Sequence, residues 1–323
     1  MVVTVLMPVY NAEEYLHDSV ESLLNQTSQQ WKLICIDDGS TDASHSILEE
    51  YCKQDKRIKL ITQANAGPAM ARARAIELVD TEYIAILDSD DAYSSNYVEL
   101  MLKRAEETNA DSIVPDVFFG YGNTQSFPNM FIQHQLSADM IISSGMEAFQ
   151  MTFPWKLHGW QMVKTELAKK YYTVENASYS KFNSDEYITR LLYLKSEKTV
   201  LCQATYLYRI ALNSITRTVS MKKLDYLVTL DRLLMLCEKE GIDYNLRVEV
   251  YNDFYQTLIS MWKLTTQLAD NERKEGQKKV IQAYHQSYIK RFDRRILQAA
   301  TLKTKLKFIA SMLSFCIIKM MAK

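Results

Sequence analysis

Residues 85–93 read AILDSDDAY, an apolar run that ends in three carboxylates within four positions. Clustered carboxylates beside a buried strand are costly to desolvate and repel one another, so this turn requires a positive partner. The run itself, Tyr83–Leu87, has the length and composition of a buried strand, and comparable β-rich runs precede it at Val2–Met7, Trp31–Ile36 and Ile58–Thr62. Helical patterns lie between them: Ala12, Tyr15, Leu16, Val20, Leu23 and Leu24 fall on one helical stripe, and STDAS at Ser40–Ser44 supplies a cap for the next helix. Strand alternating with helix predicts a parallel α/β sheet. Ligands of such sheets gather outside the carboxyl ends of the strands. The polar segments PVYN, DDGSTD and DSDD all fall there.

The chain has 323 residues, 47% of them hydrophobic and 24% charged, with only eight Gly and five Pro. That profile belongs to a folded globular protein, with room for roughly two domains. Cys35, Cys52, Cys202, Cys237 and Cys316 are odd in number, scattered and in no ligand spacing, which predicts reduced thiols. The N-terminus, MVVTVLMPVYN, has no basic leading region and reaches a proline too early for a secretory signal, so a cytoplasmic location is expected. Beyond about residue 110 the pattern loosens. Asp111–Phe119 reads as a strand, Gly120–Leu136 as a loop, Asp185–Leu194 as a helix, and short strands are expected near Val200 and at Ala204–Ile210. After Ser220 the chain reads as helix, and its last stretch, Lys290–Lys323, carries nine Lys/Arg against the single acid Asp293.

Each polar segment admits two readings. Asp88, Asp90 and Asp91 suit a hard divalent cation that completes its shell with phosphate oxygens, or they form a cap and acidic first turn for a helix over Ser94–Glu106. Asp37 and Asp38 can accept from a nucleobase imide or a ribose hydroxyl, or they belong to a plain strand-to-helix turn with Asp42 as its cap. NAGPAMARAR at Asn65–Arg74 sets a Gly67 turn before a helix bearing Arg72 and Arg74, a combination suited to an anion and equally to a solvated surface.

Taken in order, VLMPVYNAEEYLHDSVESLLNQT, ICIDDGSTDAS, NAGPAMARARAIE and YIAILDSDDAY strongly resemble the N-terminal half of glycosyltransferase family 2, inverting enzymes of GT-A fold. The resemblance implies a Rossmann-like, mostly parallel nucleotide-binding sheet flanked by helices, with a C-terminal helical appendage. It implies a catalytic domain over 1–218, divided into a nucleotide-sugar half (1–110) and an acceptor half (111–218), followed by a helical region over 219–323. It also implies roles. Backbone around Pro8, Val9 and Tyr10 would hold the base of a UDP-sugar donor, with Asp38 on its uracil-type edge and Gly67 and Arg72 on the donor side. Asp88, with Ser89 beside it, would contact ribose or diphosphate. Asp90 would bind Mn²⁺ or Mg²⁺, which supplies the missing positive charge, and Asp91 would cap the next helix. Ala73 and Ala75 depart from the family's usual Asn and Gly.

KFNSDEYITRLLYL at Lys181–Leu194 resembles the family's acidic motif, with Ser184 replacing its usual Glu; the catalytic base aligns with Asp185, with Glu186 as its neighbour and fallback. A helix N-terminus would hold such a carboxylate ionised. PWKLHGWQMVKTEL at Pro154–Leu167 resembles the acceptor region, where Trp155, His158 and Trp160 are candidates for stacking on a sugar, and YLYRIALNSIT at Tyr206–Thr216 places Arg209 near the diphosphate. The implied reaction moves a sugar to a hydroxyl of a glycan or lipid-linked oligosaccharide in cell-surface polysaccharide synthesis. The basic residues of 290–323 flank the apolar run Phe308–Ile318, too short to span a bilayer, so either peripheral contact with an anionic membrane or packing as a helix follows. A nucleotidyltransferase is disfavoured because no Gly-rich basic loop follows the first strand, and a non-catalytic scaffold because the acidic set is intact. Nucleic-acid binding is disfavoured because the basic region is confined to the tail.

Overall fold

The computed structural model describes residues 1–122, 127–210, 218–292 and 295. The chain divides into two compact units, Met1–Leu212 and Asn213–Lys323. In the first, strands and helices alternate as the apolar runs predict: β1 (Val3–Val9), α1 (Leu16–Leu24), β2 (Trp31–Asp37), α2 (Ser44–Gln54), β3 (Ile58–Thr62), α3 (Pro68–Ile76) and β4 (Tyr83–Ile86). β1 pairs in parallel with β2 and β4, and β2 with β3. Every residue of β1 is buried, as a central parallel strand covered on both faces requires, whereas edge strand β3 is mixed.

The rest of this unit extends the same sheet: β5 (Ala92–Tyr93), α4 (Tyr97–Thr108), β6 (Ser112–Tyr121), α5 (Met130–His134), β7 (Ile141–Ile142), α6 (Gly145–Gln150), β8 (Met162–Lys164), α7 (Thr165–Tyr171), α8 (Val174–Ala177), α9 (Ser184–Lys195) and β9 (Thr199–Arg209). The strand order is β3-β2-β1-β4-β8-β6-β9-β5, with β7 also on β9. Three-residue β8 is too short to show a period, yet it runs antiparallel between β4 and β6 and joins the two halves of the sheet. The two strands expected around residues 200–210 are one, β9, parallel to β6 with a register slip between Pro115 and Asp116. Pro115 has no N–H to donate to a ladder. Part of the segment expected as loop, Gly120–Leu136, forms α5.

The expectation for Asp91 is overturned. Helix α4 starts at Tyr97, with Asn96 at its N-cap position, and Asp91 instead enters β5 with 1% of its surface exposed. Tyr93 and Tyr97 stack with ring centroids 3.7 Å apart, and this packing carries the chain from the acidic turn into α4.

The second unit is helical, as its sequence predicts: α10 (Asp225–Lys239), α11 (Tyr244–Gln267) and α12 (Asp270–Ala283) follow a 3₁₀ turn at Met221–Leu224, and a π turn spans Tyr284–Ile289. Asp243 caps α11 by accepting from Asn245 and Leu246 N–H at 2.7 and 3.2 Å. Leu230, Leu233, Leu234, Leu246, Phe254, Leu258 and Tyr288 form its buried interior. No helix among the described residues is long and apolar enough to cross a membrane. Of the basic tail, only Lys290–Phe292 and Arg295 are described, so the proposed membrane-contact segment otherwise lies outside the described residues.

Gly67 opens α3 with φ 92° and ψ 159°, a region essentially reserved for glycine. An added Cβ would also stand 2.6 Å from the Lys181 carbonyl oxygen and 2.9 Å from its Cα. Gly67→Ala is expected to lose more than the ~1–3 kcal/mol that backbone strain alone costs, because backbone at Lys181 must also move. Gly241→Ala, at φ 63° with nothing within 4 Å, should lose only about 1 kcal/mol. Urea unfolding of the two variants checks the difference.

Candidate active site

The carboxyl ends of β1, β2 and β4 converge, and side chains from each loop cap the backbone of the next. After β1 the chain turns at Asn11 (φ 49°). Asn11 N–H donates to Ser40 Oγ, Ala12 N–H to Ser44 Oγ and Glu13 N–H to Asp42, at 3.1, 2.8 and 3.1 Å. In return Thr41 N–H donates to Asn11 Oδ1 and Ala43 N–H to Glu13, both at 2.8 Å. Pro8 and Val9 are buried beneath this lacing, whereas Tyr10 is 48% exposed at its rim. The β1–β4 ladder ends at Leu6 and Ile86, so the turns that follow both strands lie beyond its last pair, at the carboxyl edge of the sheet.

Asp37 and Asp38 are each 2% exposed. Asp37 accepts from Ser40 N–H and from His45 Nδ1, at 2.9 and 2.8 Å. Asp38 accepts from Gln63 Nε2, Ala66 N–H and Gly67 N–H at 2.6, 2.8 and 2.8 Å, so the carboxylate expected to read a base organises the turn that begins α3. One of its roughly four lone-pair directions is left.

The acidic turn is held from several sides. Arg72, 5% exposed on α3, donates through NH2 to Asp88 Oδ1 and through NH1 to Asp185 Oδ2, the latter at 3.5 Å. Asp88 Oδ2 accepts from Trp160 Nε1 at 3.0 Å, and its own N–H donates to Tyr206 Oη at 3.1 Å. Tyr206 in turn donates to Asp91 Oδ2 at 2.7 Å, and Arg209 N–H donates to Asp91 Oδ1 at 2.7 Å. Ser19 Oγ donates to the carbonyls of Ser89 and Asp91 at 2.9 and 2.6 Å. The Arg209 guanidinium donates to the Asp90 carbonyl at 2.8 Å and to Asp18 at 2.7 Å, and lies 4.7 Å from the ring centroids of both Tyr15 and Tyr121.

Asp90 is the remaining member of the trio. Among the described residues no other residue donates to its carboxyl oxygens; burial, followed by the charge of Asp88, pushes its pKa up to about 6, against the lowering by its own N–H and by Arg209. A carboxylate that accepts from no other residue, next to two that do, fits a divalent cation that takes one or two protein oxygens and completes its shell with substrate phosphates. No three His, Cys, Asp or Glu side chains converge into a metal cage among the described residues. A site of that one-carboxylate kind is therefore the type these residues fit.

Asp185 and Glu186 lie in the first turn of α9 and go separate ways. Asp185, with 40% of its side-chain surface exposed, faces Arg72. Burial raises its pKa, Arg72 opposes the rise and Asp88 adds to it; the lowering expected from a helix N-terminus does not prevail. Burial alone would lower Arg72, but Asp88, then Tyr172 and Asp185, more than offset it, so the guanidinium stays charged. Glu186 instead pairs with Arg190 at 3.3 Å.

Of the candidate sugar-stacking residues, His158 is buried and Trp160 is half-buried against the core. Trp160 packs against Tyr206 with centroids 4.8 Å apart at 24°, and Trp160 N–H donates to His158 Nδ1 at 3.2 Å. His158 Nε2 meets the Pro115 carbonyl at 2.8 Å, so the neutral imidazole satisfies both partners and neither nitrogen is open to a metal. Trp155 stands apart from this network, against Arg190. Tyr206 and Trp160 as holders of the acidic turn escaped the sequence reading; the available signal was Tyr206 three residues before Arg209 at a strand end.

Residues 4–184 match the family model described as glycosyl transferase family 2. Glycosyltransferase GlyA of Streptococcus pneumoniae is 28% identical over 277 residues, covering 80% of this chain but 38% of GlyA, so the chain spans well under half of that relative. Glycosyltransferase GlyG of the same organism is 28% identical over 273 residues, 79% of this chain and 88% of GlyG. Among solved structures, S. aureus TarS 1–349 in complex with UDP-GlcNAc superposes with a TM-score of 0.60 at 14% identity over 90% of this chain and 91% of that 1–349 chain. The mannosyltransferase PcManGT of Pyrobaculum calidifontis, in complex with GDP-Man and Mn²⁺, gives 0.52 at 12% identity over 98% of this chain and 80% of its own. These likenesses identify the fold as GT-A.

His158 is 4% exposed and its pKa is lowered to about 4 by burial, against about 6.5 for an unfolded histidine. The unfolded chain therefore binds the extra proton first as pH falls. The stability from this neutral histidine is full above about pH 6.5 and is lost on the way down to about pH 4. Between pH 7 and pH 5 the wild type should lose about 2 kcal/mol more than His158→Gln does. Urea unfolding at the two pH values measures this.

Proposed function

This chain belongs to glycosyl transferase family 2, and we propose that it moves a sugar from a UDP-sugar, with inversion and with Mg²⁺ or Mn²⁺, to a hydroxyl of a glycan or lipid-linked saccharide in cell-surface polysaccharide assembly. One observation carries the reading: Arg72 brings the Asp185 carboxylate of α9 to the Asp88 carboxylate at the end of β4. The proposed proton acceptor and the proposed donor-binding carboxylate thereby share one guanidinium. The UDP-GlcNAc bound by TarS supports the donor class, and the Mn²⁺ bound by PcManGT supports the cation. Residues 1–110 supply the donor half and 111–218 the acceptor half, with 219–323 as a helical appendage; contact of 290–323 with a membrane surface remains part of the proposal.

In this reaction an acceptor hydroxyl gives its proton to Asp185 as its oxygen attacks the anomeric carbon from the face opposite the diphosphate. The new C–O bond forms as the bond to the diphosphate oxygen breaks, and the electron pair leaves with UDP. A carboxylate whose pKa is raised by burial is a better acceptor for that proton, and Arg72 limits the rise so that the ionised form persists. Asp90 would hold the cation, whose contribution when bound is Lewis-acid stabilisation of charge on the departing diphosphate. Arg209, through the Asp90 carbonyl, and Tyr206, through Asp88 and Asp91, keep the turn from rearranging as charge accumulates.

Asp185→Asn should bind UDP as wild type does while sugar transfer falls about 10²–10⁴-fold. Asp90→Asn should reduce transfer by on the order of 10²-fold or more and abolish its dependence on added Mn²⁺. A screen of UDP-, GDP- and dTDP-sugars for UDP, GDP or dTDP release, with and without EDTA, makes the measurement. Full turnover by either variant, or metal-independent turnover by the wild type, would sink the proposal.

A further inference from the structure

Resting on the function just proposed, we infer that Glu186 is not a second base but a positioning residue for the acceptor: as counter-ion of buried Arg190, it fixes the Phe153–Trp155 turn to the helix that bears Asp185.

Successive helical residues point about 100° apart, so Asp185 and Glu186 cannot serve the same partner. Asp185 faces Arg72. Glu186 lies one turn before Arg190 and pairs with its NH2 at 3.3 Å. Arg190 is 1% exposed, and its guanidinium carbon sits 4.0 Å from the ring centroid of Phe153 and 4.2 Å from that of Trp155, with NH2 3.5 Å from the Thr152 carbonyl. A guanidinium so enclosed is held by an anion and by aromatic faces. The Thr152–Trp155 turn is thus fastened to α9 through a charge that Glu186 balances.

From Trp155 the chain continues along the same helix. Tyr193 Oη donates to the His158 carbonyl at 2.7 Å, a Cβ on Gly159 would meet Thr189 Oγ1 at 3.0 Å, and Trp160 reaches Asp88. Residues 152–160 therefore run from the partner of Glu186 to the donor carboxylate, along the helix that bears Asp185. An acceptor sugar whose hydroxyl reaches Asp185 rests against this segment. Trp155, half-buried and outside the Asp88–Tyr206 network, is the ring there suited to a pyranose C–H face. The carboxylate beside the base thus acts on where the acceptor sits, not on its proton.

The test uses the full chain, UDP-GlcNAc and UDP-glucose as donors and p-nitrophenyl glycosides as acceptors. Glu186→Gln keeps the shape and removes the charge. Acceptor KM should rise about tenfold or more while kcat falls less than about threefold, a split that marks lost binding rather than lost chemistry. Donor KM and the acid limb of the pH profile should stay where they are. Trp155→Ala, which keeps both charges of the pair while removing one of the two rings on the guanidinium, should raise acceptor KM in the same way and decides the matter if Glu186→Gln does not fold. A collapse of kcat in Glu186→Gln as deep as in Asp185→Asn would make Glu186 a base, and an acceptor KM unmoved in both variants would detach the turn from the acceptor; either overturns the inference while leaving the proposed function in place. Absence of transfer by the wild type removes that function, and this inference with it.

Discussion

The active-site half of the protein depends on one buried cation. Arg72 is almost wholly removed from water, and it can remain charged there because Asp88 and Asp185 flank it. Taking a guanidinium out of water is costly unless its partners are close and well oriented, and breaking such an arrangement costs about 3–5 kcal/mol because a lone charge is left behind. The same geometry joins residues 113 positions apart in sequence. Two distant segments, one at a strand end and one at a helix start, are held in register by a charge that neither could shed.

That constraint explains how the acidic turn tolerates its own composition. Asp88 is neutralised by Arg72 and further bound by Trp160; Asp91 is buried against a phenol and a backbone N–H, and its pKa is raised well above the usual carboxylate range by burial and by its neighbours. Arg209 spends its guanidinium on the Asp90 carbonyl and on Asp18, not on the Asp90 carboxylate. The three acids thus have three different fates: Asp88 and Asp91 are satisfied by other residues, whereas the Asp90 carboxyl accepts from no other residue among the described ones, which is why the proposed cation is assigned to it.

Much of this was legible in the sequence because it rests on local periodicity and on strand ends. The strands that begin at residues 31, 58 and 83 announce themselves by short apolar runs, and the parallel order follows from the helices between them. What was not legible depends on contacts across the fold. β8 has three residues, too few for a pattern, and its antiparallel placement follows from tertiary pairing. Asp91 reads as a cap because Ser and Asp precede a helical stripe, but Tyr206, far along the chain, draws its carboxylate inward. Trp160 reads as a platform for a sugar, while its indole N–H goes to Asp88 and its ring packs on Tyr206 of β9. The identity of neighbouring acids at 185 and 186 could be read, but their opposite directions could not, since helical phase decides them.

The same logic links the base-side loop to the donor-side turn. Asp38 accepts three hydrogen bonds from the 63–67 segment, Gly67 lies too close to Lys181 to carry a side chain, and Lys181 Nζ donates back to the Asn65 carbonyl at 2.9 Å. Lys181 is four residues before Asp185, and Ser180 Oγ accepts from Phe182 and Asn183 N–H to shape the entry into α9. A carboxylate at the end of β2 is therefore connected, through one turn and one backbone contact, to the start of the helix that bears the proposed base. Arg72 and the Gly67–Lys181 contact are two separate ties between α3 and the α9 region: one pairs with Asp185 itself, and the other fixes the backbone four residues before it, so that both the charge and the place of the proposed base are restricted.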